Sequence, residues 1–309
     1  MISILKTIPK INYLSKKYYF IAMSVVFSIL SILSLTFRGL NLGLDFRGGT
    51  QIQLKFNQSI SLGEIRSLLE TELGTSISLT RIGNIEQENY LLSFRQLTGE
   101  KAKMDIQETV HQILGKKNIT ATIQRAETIG PKIGAELRQN AFYAILISLG
   151  LILAYTAVRF NFPFGVGAVV SLFHDTLVTV GAFSLFQIEF DLTALAGVLT
   201  LIGYSMNDTI VVFDRVRENI KKHPGKTLFE NVNLSVNETM SRTILTFFTT
   251  FIIVVAMFLF GGPSIQGFSF AFLVGLVVGT YSSVFIASPV AIWIQNYLNK
   301  KSTSKKEKA

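Results

Sequence analysis

The sequence contains no cysteine. That excludes disulfides, iron–sulfur ligation and a thiol nucleophile, and it suits a chain partly exposed to an oxidising compartment. Its three histidines, His111, His174 and His223, stand far apart and lack the spacing of a zinc site. Charge is also scarce: 16% of residues are Asp, Glu, Lys or Arg, against about 25% in a soluble domain. The sequence has no phosphate-binding glycine loop, nucleophile elbow or metal-ligand motif. The expectation is therefore a chain that is not an enzyme and needs no metal or cofactor.

What it has in abundance is apolar length. Of 309 residues, 49% are hydrophobic and 25 are phenylalanine; the mean hydropathy is +0.43. Runs long enough to cross a bilayer are predicted at 19–37, 141–158, 164–186, 192–213, 244–260 and 268–294. The last is long enough to tilt or to end in an interfacial turn. The first has spanning length and no small-x-small cleavage site before Arg38, so it reads as a retained helix rather than a leader.

The basic residues set an expected orientation. Lys6, Lys10, Lys16 and Lys17 precede the first run, and Arg159 lies between the second and third. Arg215, Arg217, Lys221, Lys222, Lys226 and Arg242 lie between the fourth and fifth. Lys300, Lys301, Lys305, Lys306 and Lys308 follow the sixth, whereas the connections 187–191 and 261–267 carry no Lys or Arg. Both the N-terminal segment 1–18 and the basic tail 298–309 should then be cytoplasmic. The net charge of +9 is on this reading a topology signal, and nucleic acid is not an expected partner.

Residues 38–138 form the one large extramembrane segment, expected outside, with 13 basic and 11 acidic residues. Alternation predicts strands at 50–56, 76–82, 89–94 and 119–129. Ser61 followed by Glu64 reads as a capping box opening a helix to about residue 73. Met104, Ile106, Val110, Ile113 and Leu114 predict a second helix over 102–114, and a polar turn is expected at 84–88. The order βαββαβ predicts a ferredoxin-like α+β domain: a four-stranded antiparallel sheet with two helices on one face. His111 reads as a surface residue of the second helix. Just before the domain, GLNLGLDFRGGT (39–50) places Gly39, Gly43, Gly48 and Gly49 around Asp45 and Phe46. It reads as a rigid elbow, as a hinge at the membrane surface, or as both.

Asp208 sits in the fourth apolar run, 192–213, which contains no Lys or Arg. A carboxylate there costs several kcal/mol unless it is protonated, paired or facing water. It is either a proton relay or a hydrogen-bonding link between helices. Tyr204 and Ser205, one turn earlier, are placed to hydrogen-bond it. Asp175, beside His174, is about 16 Å into the third run, as a second relay site or an internal partner for Asp208. Adjacent residues point about 100° apart on a helix, so His174 and Asp175 need not touch. Thr243, Thr246 and Thr250 recur on one face of the fifth run, and threonines there commonly bond back to their own helix. Thr280, Tyr281, Ser282 and Ser283 break the sixth run, near the small-residue pair Gly275 and Gly279.

Four stretches resemble signatures of the SecD/SecF family, auxiliary subunits of the bacterial Sec translocon. They are GLNLGLDFRGGT, GYSMNDTIVVFDRVREN (203–219), SVNETMSRTILTFFTT (235–250) and GTYSSVFIASP (279–289). They stand in family order over essentially the whole chain, with Met206 and Phe247 departing from the usual residues. A single external domain of this size is similar to the SecF side of the family. The resemblance implies a multi-pass protein of the bacterial cytoplasmic membrane. Its six helices would form half of a resistance–nodulation–division (RND) type core, completed by SecD. It implies proton-motive-force-dependent help in late preprotein export. The partners would be SecD, the SecYEG translocon and exported preproteins, with YajC and YidC as further candidates. It matches Asp208 to the family's intramembrane Asp and so favours the relay reading, with Asp175 as a second relay candidate. Tyr204, Ser205, Asn207, Thr246, Thr250, Ser282 and Ser283 would be supporting polar residues, and Gly43, Asp45, Phe46, Gly48 and Gly49 a structural hinge. Two other readings remain: a subunit of an RND-type transporter of small molecules or lipids, and a non-conducting scaffold for a partner membrane protein.

Overall fold

A computed structural model describes residues 11–57, 61–82, 88–94 and 105–306. In chain order its elements begin with α1 (Lys17–Phe37), α2 (Leu44–Arg47), β1 (Gly49–Phe56) and α3 (Leu62–Leu73). Next come β2 (Ile77–Ile82), β3 (Asn89–Phe94), α4 (Ile106–Gly115), β4 (Ala121–Ile129) and α5 (Pro131–Arg159). The rest is helical: α6 (Phe162–Phe186), α7 (Leu192–Lys222), α8 (Leu228–Phe260), α9 (Pro263–Ser282) and α10 (Ser288–Lys306). The chain divides into two units, Leu42–Phe142 and Met1–Asn41 with Tyr143–Ala309.

In the smaller unit, alternation produces the sheet. Ile52, Leu54 and Phe56 of β1 and Tyr90, Leu92 and Phe94 of β3 turn to one face and are buried. There they meet Ile65, Leu69 and Leu73 of α3 and Val110, Ile113 and Leu114 of α4. The strand order is β2–β3–β1–β4, and every pair is antiparallel. This is the four-stranded arrangement that the βαββαβ order implied. A bulge between Gln53 and Leu54 shifts the pairing with β4.

One local expectation fails. Ser61 does precede α3, but its side chain caps nothing. Only its carbonyl engages the helix, accepting from Glu64 N–H at 3.2 Å. A complete capping box occurs instead at Thr227 and Glu230, opening α8. The expected turn at 84–88 and Met104 lie largely outside the described residues.

The glycine pair at the start of β1 is tightly enclosed. Gly48 has φ +70° and Gly49 φ +142°, which disfavour any side chain. A Cβ on Gly49 would stand 2.5 Å from the Phe94 carbonyl oxygen, and one on Gly48 2.9 Å from Pro131 Cα. Asp45 falls in the first turn of α2, Gly43 is the residue before that turn, and Phe46 is buried.

The larger unit contains the apolar helices. Among the described residues, six helical segments are long and apolar enough to cross a membrane. Several extend well past the apolar run that marks them in the sequence. α7 continues to Lys222 and α8 starts at Leu228. Hydropathy registers only the apolar stretch; the polar extensions are joined by side chains. Glu238 accepts from Arg215 Nε and Asn219 Nδ2, each at 2.6 Å. Asn219 also donates to Ser235 Oγ at 3.0 Å. The sixth segment is interrupted: α9 passes through a π-helical turn, Ser283–Ala287, into α10. Gly275 and Gly279 of α9 face α7, where added Cβ atoms would meet Leu201 at 2.3 Å and Ser205 at 3.0 Å. Their small size lets the two helices approach closely.

Candidate functional site: two buried carboxylates

Asp175 and Asp208 are both buried, on α6 and α7, and their surroundings differ. Asp175 is fully enclosed. Ser205 Oγ of α7 donates to its Oδ2 at 2.6 Å, and Ser282 Oγ, at the end of α9, donates to the same oxygen at 2.7 Å. Ser171, one turn before Asp175, donates to Ser282 at 2.9 Å. His174 Nδ1 lies 3.0 Å from Asp175 Oδ1. Their Cα–Cβ bonds diverge, but the imidazole is long enough to bend back to its neighbour.

The contacts continue beyond the imidazole. Tyr281 OH is 3.4 Å from His174 Nε2, and Ser24 Oγ of α1 donates to Tyr281 OH at 3.2 Å. With a proton on Nδ1, His174 donates to Asp175 and accepts from Tyr281. Every donor then points towards the carboxylate, and four helix segments are tied to it.

Asp208 is poorly served by comparison. Its one hydrogen bond recorded among the described residues comes from Thr243 Oγ1 of α8, at 3.5 Å, the outer limit for such a contact. Arg242, the residue before Thr243, is close enough for its charge to act on the carboxylate. The neighbours expected from the sequence turn elsewhere. Ser205 goes to Asp175, and Tyr204 OH donates to the Thr246 carbonyl at 3.1 Å. Asp175 is not brought into hydrogen bonding with Asp208; serines occupy its Oδ2. Asn207 is exposed on the side of α7 away from the bundle.

The other candidates divide similarly. Thr246 bonds back to the carbonyls of Arg242 and Thr243, as threonines in helices commonly do. Thr250 is half-buried on the same helix. Ser283 donates to the Thr280 carbonyl at 3.1 Å. Thr179, one turn beyond Asp175, is buried with no hydrogen-bond partner for its hydroxyl. Among the described residues, no cluster of three His, Asp or Glu could hold a metal ion.

Sequence reading missed Ser24, Ser171, Arg242 and the outward reach of His174. A signal for two of them was present. Ser171 lies four residues before Asp175, on the same helix face. Ser24, Ser31 and Ser34 are all buried along α1, a polar stripe in an otherwise apolar run. Arg242 reads from the sequence only as a charge in the connection between the fourth and fifth runs.

Comparison with known proteins bears on the whole chain. Residues 109–297 match the C-terminal region of the protein export membrane proteins SecD/SecF, and residues 33–60 match the SecD/SecF GG motif. The protein translocase subunit SecF of Petrotoga mobilis is 39% identical, over 92% of this chain and 96% of that protein. SecF of Pseudomonas aeruginosa is 38% identical, over 93% and 92%. The crystal structure of SecDF from Thermus thermophilus, a translocon-associated membrane protein, superposes with a TM-score of 0.83 at 33% identity. It covers 94% of this chain, which spans 40% of that longer one. SecDF in a super-membrane-facing form gives 0.71 at 34% identity, again over 40% of its length. With both signature regions and nearly the full length matched, this chain belongs to the SecF branch of the SecD/SecF family.

Proposed function

We propose that this chain is the SecF subunit of a Sec protein translocase and works with SecD in protein export. It is a multi-pass protein of a bacterial membrane. In this reading both termini face the cytoplasm and the domain of β1–β4 lies outside, as the basic residues suggest. SecYEG and the exported preprotein are the working partners, with YajC and YidC as accessory candidates. The subunit catalyses no covalent reaction; it couples proton-motive force to late steps of preprotein movement.

The observation that carries the coupling role is the contrast between the two carboxylates. Asp175 has the dense, directed hydrogen bonding of a structural hub, with three contacts of 3.0 Å or less. Asp208 is buried at 7% exposure with one long hydroxyl contact and a nearby cation. A buried acid with few fixed partners has less to lose on changing its protonation state. Asp208 is therefore assigned as the proton carrier and Asp175 as the group that fixes α6, α7 and α9 around it.

Asp208→Asn tests this in inverted vesicles carrying the full translocon, by preprotein translocation with and without an imposed proton gradient. Loss of the gradient-dependent increment, with SecD still co-purifying, is the expected result. An unchanged increment would remove the carrier role and leave the chain as a scaffold for its partner.

A further inference from the structure

A groove of about 480 Å³ runs between the start of α1, α8 and the α9 segment, within the range of small-molecule sites. Its walls are Phe20, Met240, Phe247, Val277, Val284 and Phe285. It opens sideways: Ile11, Ile244 and Val277 on its rim are exposed. Three hydroxyls line its floor, and all are engaged within the protein. Thr243 donates to Asp208, Thr280 to the Leu276 carbonyl, and Tyr281 contacts Ser24 and His174. The floor thus offers water little, and a groove of this kind set in a bilayer fills with hydrocarbon.

The mouth has the opposite character. Asn12, Tyr13 and Lys16 line it together, and no acidic residue does so among the described residues. Lys16 has no ion-pair partner there, and Lys17 follows it at the start of α1. This end is fixed in place. Asn237 of α8 accepts from Ile11 N–H at 3.0 Å and donates to the Ile11 carbonyl at 2.8 Å. A long apolar slot with an unpaired ammonium at its mouth complements one ligand class: an acyl chain bearing an anionic headgroup.

We propose that this groove is a binding site for an anionic phospholipid. One acyl chain lies along Phe20, Phe247 and Val284, and the headgroup phosphate lies at Lys16 and Tyr13. The chain would pack against Thr243 and Tyr281, which contact Asp208 and His174. The site requires only that the helices cross a bilayer, so it stands apart from the proton-carrier assignment.

The test uses the full chain co-expressed with SecD, reconstituted in phosphatidylethanolamine–phosphatidylglycerol nanodiscs. Phosphatidylglycerol and phosphatidylethanolamine probes carry the same photoactivatable acyl chain, and cross-links are mapped by mass spectrometry. The phosphatidylglycerol probe should label groove peptides containing Met240, Phe247 or Val284 about fivefold more than the other, the preference expected of one well-placed lysine. Lys16→Glu, at an exposed position, should reduce its labelling to the level of the phosphatidylethanolamine probe. Val277→Trp, filling the groove from its rim, should reduce labelling by both. Equal labelling by the two probes, or indifference to Lys16→Glu, would overturn the proposal. So would absence of groove labelling by either probe.

Discussion

Ser205 donates to Asp175 at 2.6 Å although it lies three residues before Asp208 on the same helix. The contact ties α7 to α6 and withholds from Asp208 a hydroxyl within its own turn. Asp175 acts here as a junction, with Ser282 bringing in the end of α9. Replacing it by Leu leaves two hydroxyls and an imidazole without their acceptor, at about 1–3 kcal/mol for each orphaned donor. Asp175→Leu should therefore lower the melting temperature of the detergent-solubilised protein by several degrees and weaken co-purification of SecD. Asp175→Asn keeps an acceptor oxygen and should remain near wild type in both. If Asn also abolished gradient-dependent export while leaving the melting temperature unchanged, Asp175 would be a proton carrier and not a junction.

The same junction depends on a residue without a side chain. A Cβ on Gly279 would lie 3.0 Å from both Cβ and Oγ of Ser205 and 3.5 Å from Asp175 Oδ2. Gly279→Val should push Ser205 off Asp175 and separate α9 from α7, at a cost of about 1–3 kcal/mol. A disulfide-trapping pair across α7 and α9 would report the separation as slower cross-linking. Cross-linking as fast as in the parent would show that the interface adapts without disturbing the hub.

Gly49 allows a parallel test in the other unit. Its φ of +142° and the Phe94 carbonyl 2.5 Å from a would-be Cβ leave no room for alanine. Gly49→Ala should destabilise the sheet by about 1–3 kcal/mol from backbone strain, with the steric contact adding to it. Hydrogen exchange on the full chain should show β1 and β3 losing protection while α6 and α7 keep theirs. A hinge that bends at this glycine would give a different pattern: unchanged protection in the sheet with loss of export.

Much of the architecture is legible in the sequence because it rests on short-period patterns. Alternation at 50–56 and 89–94 places β1 and β3 within a residue, and apolar length finds six spans. The failures are of two kinds: local letters that do not take up the geometry they imply, and partners that come from distant sequence. Ser61 has the letters of a capping box but no side-chain cap; Thr227 and Glu230, the pair that does form one, went unread. The polar extensions of α7 and α8 are helical because Arg215, Asn219 and Glu238 meet across the pair, a contact that hydropathy cannot register. Asp208 stands out in the sequence as a carboxyl in an apolar run, and it is buried. Its neighbours are not legible there, because helical spacing shows which face Ser205 shares but not that α6 supplies a better acceptor.

Glu70 gives a prediction in pH. Its carboxylate accepts the Ile77 amide at 3.0 Å and Arg66 Nε at 3.1 Å. These two, the amide first, hold it below the ordinary glutamate range. A group depressed in the folded state adds stability above its unfolded pKa and loses it as pH falls through the folded value. Near neutral pH, Glu70→Ala should therefore weaken protection of the Ile77 amide and loosen the junction of α3 with β2. As pH drops through the depressed folded value, the wild type should move towards the variant, because its carboxylate becomes protonated and keeps only a neutral, weaker acceptor for the Ile77 amide. Glu70→Gln, which can still accept from Ile77 but lacks the charge, should lie between them at neutral pH. Hydrogen exchange across residues 62–82, corrected for intrinsic rates, measures all three. A difference between wild type and Glu70→Ala that persisted unchanged into acid would assign the contact to packing and remove the carboxylate from it.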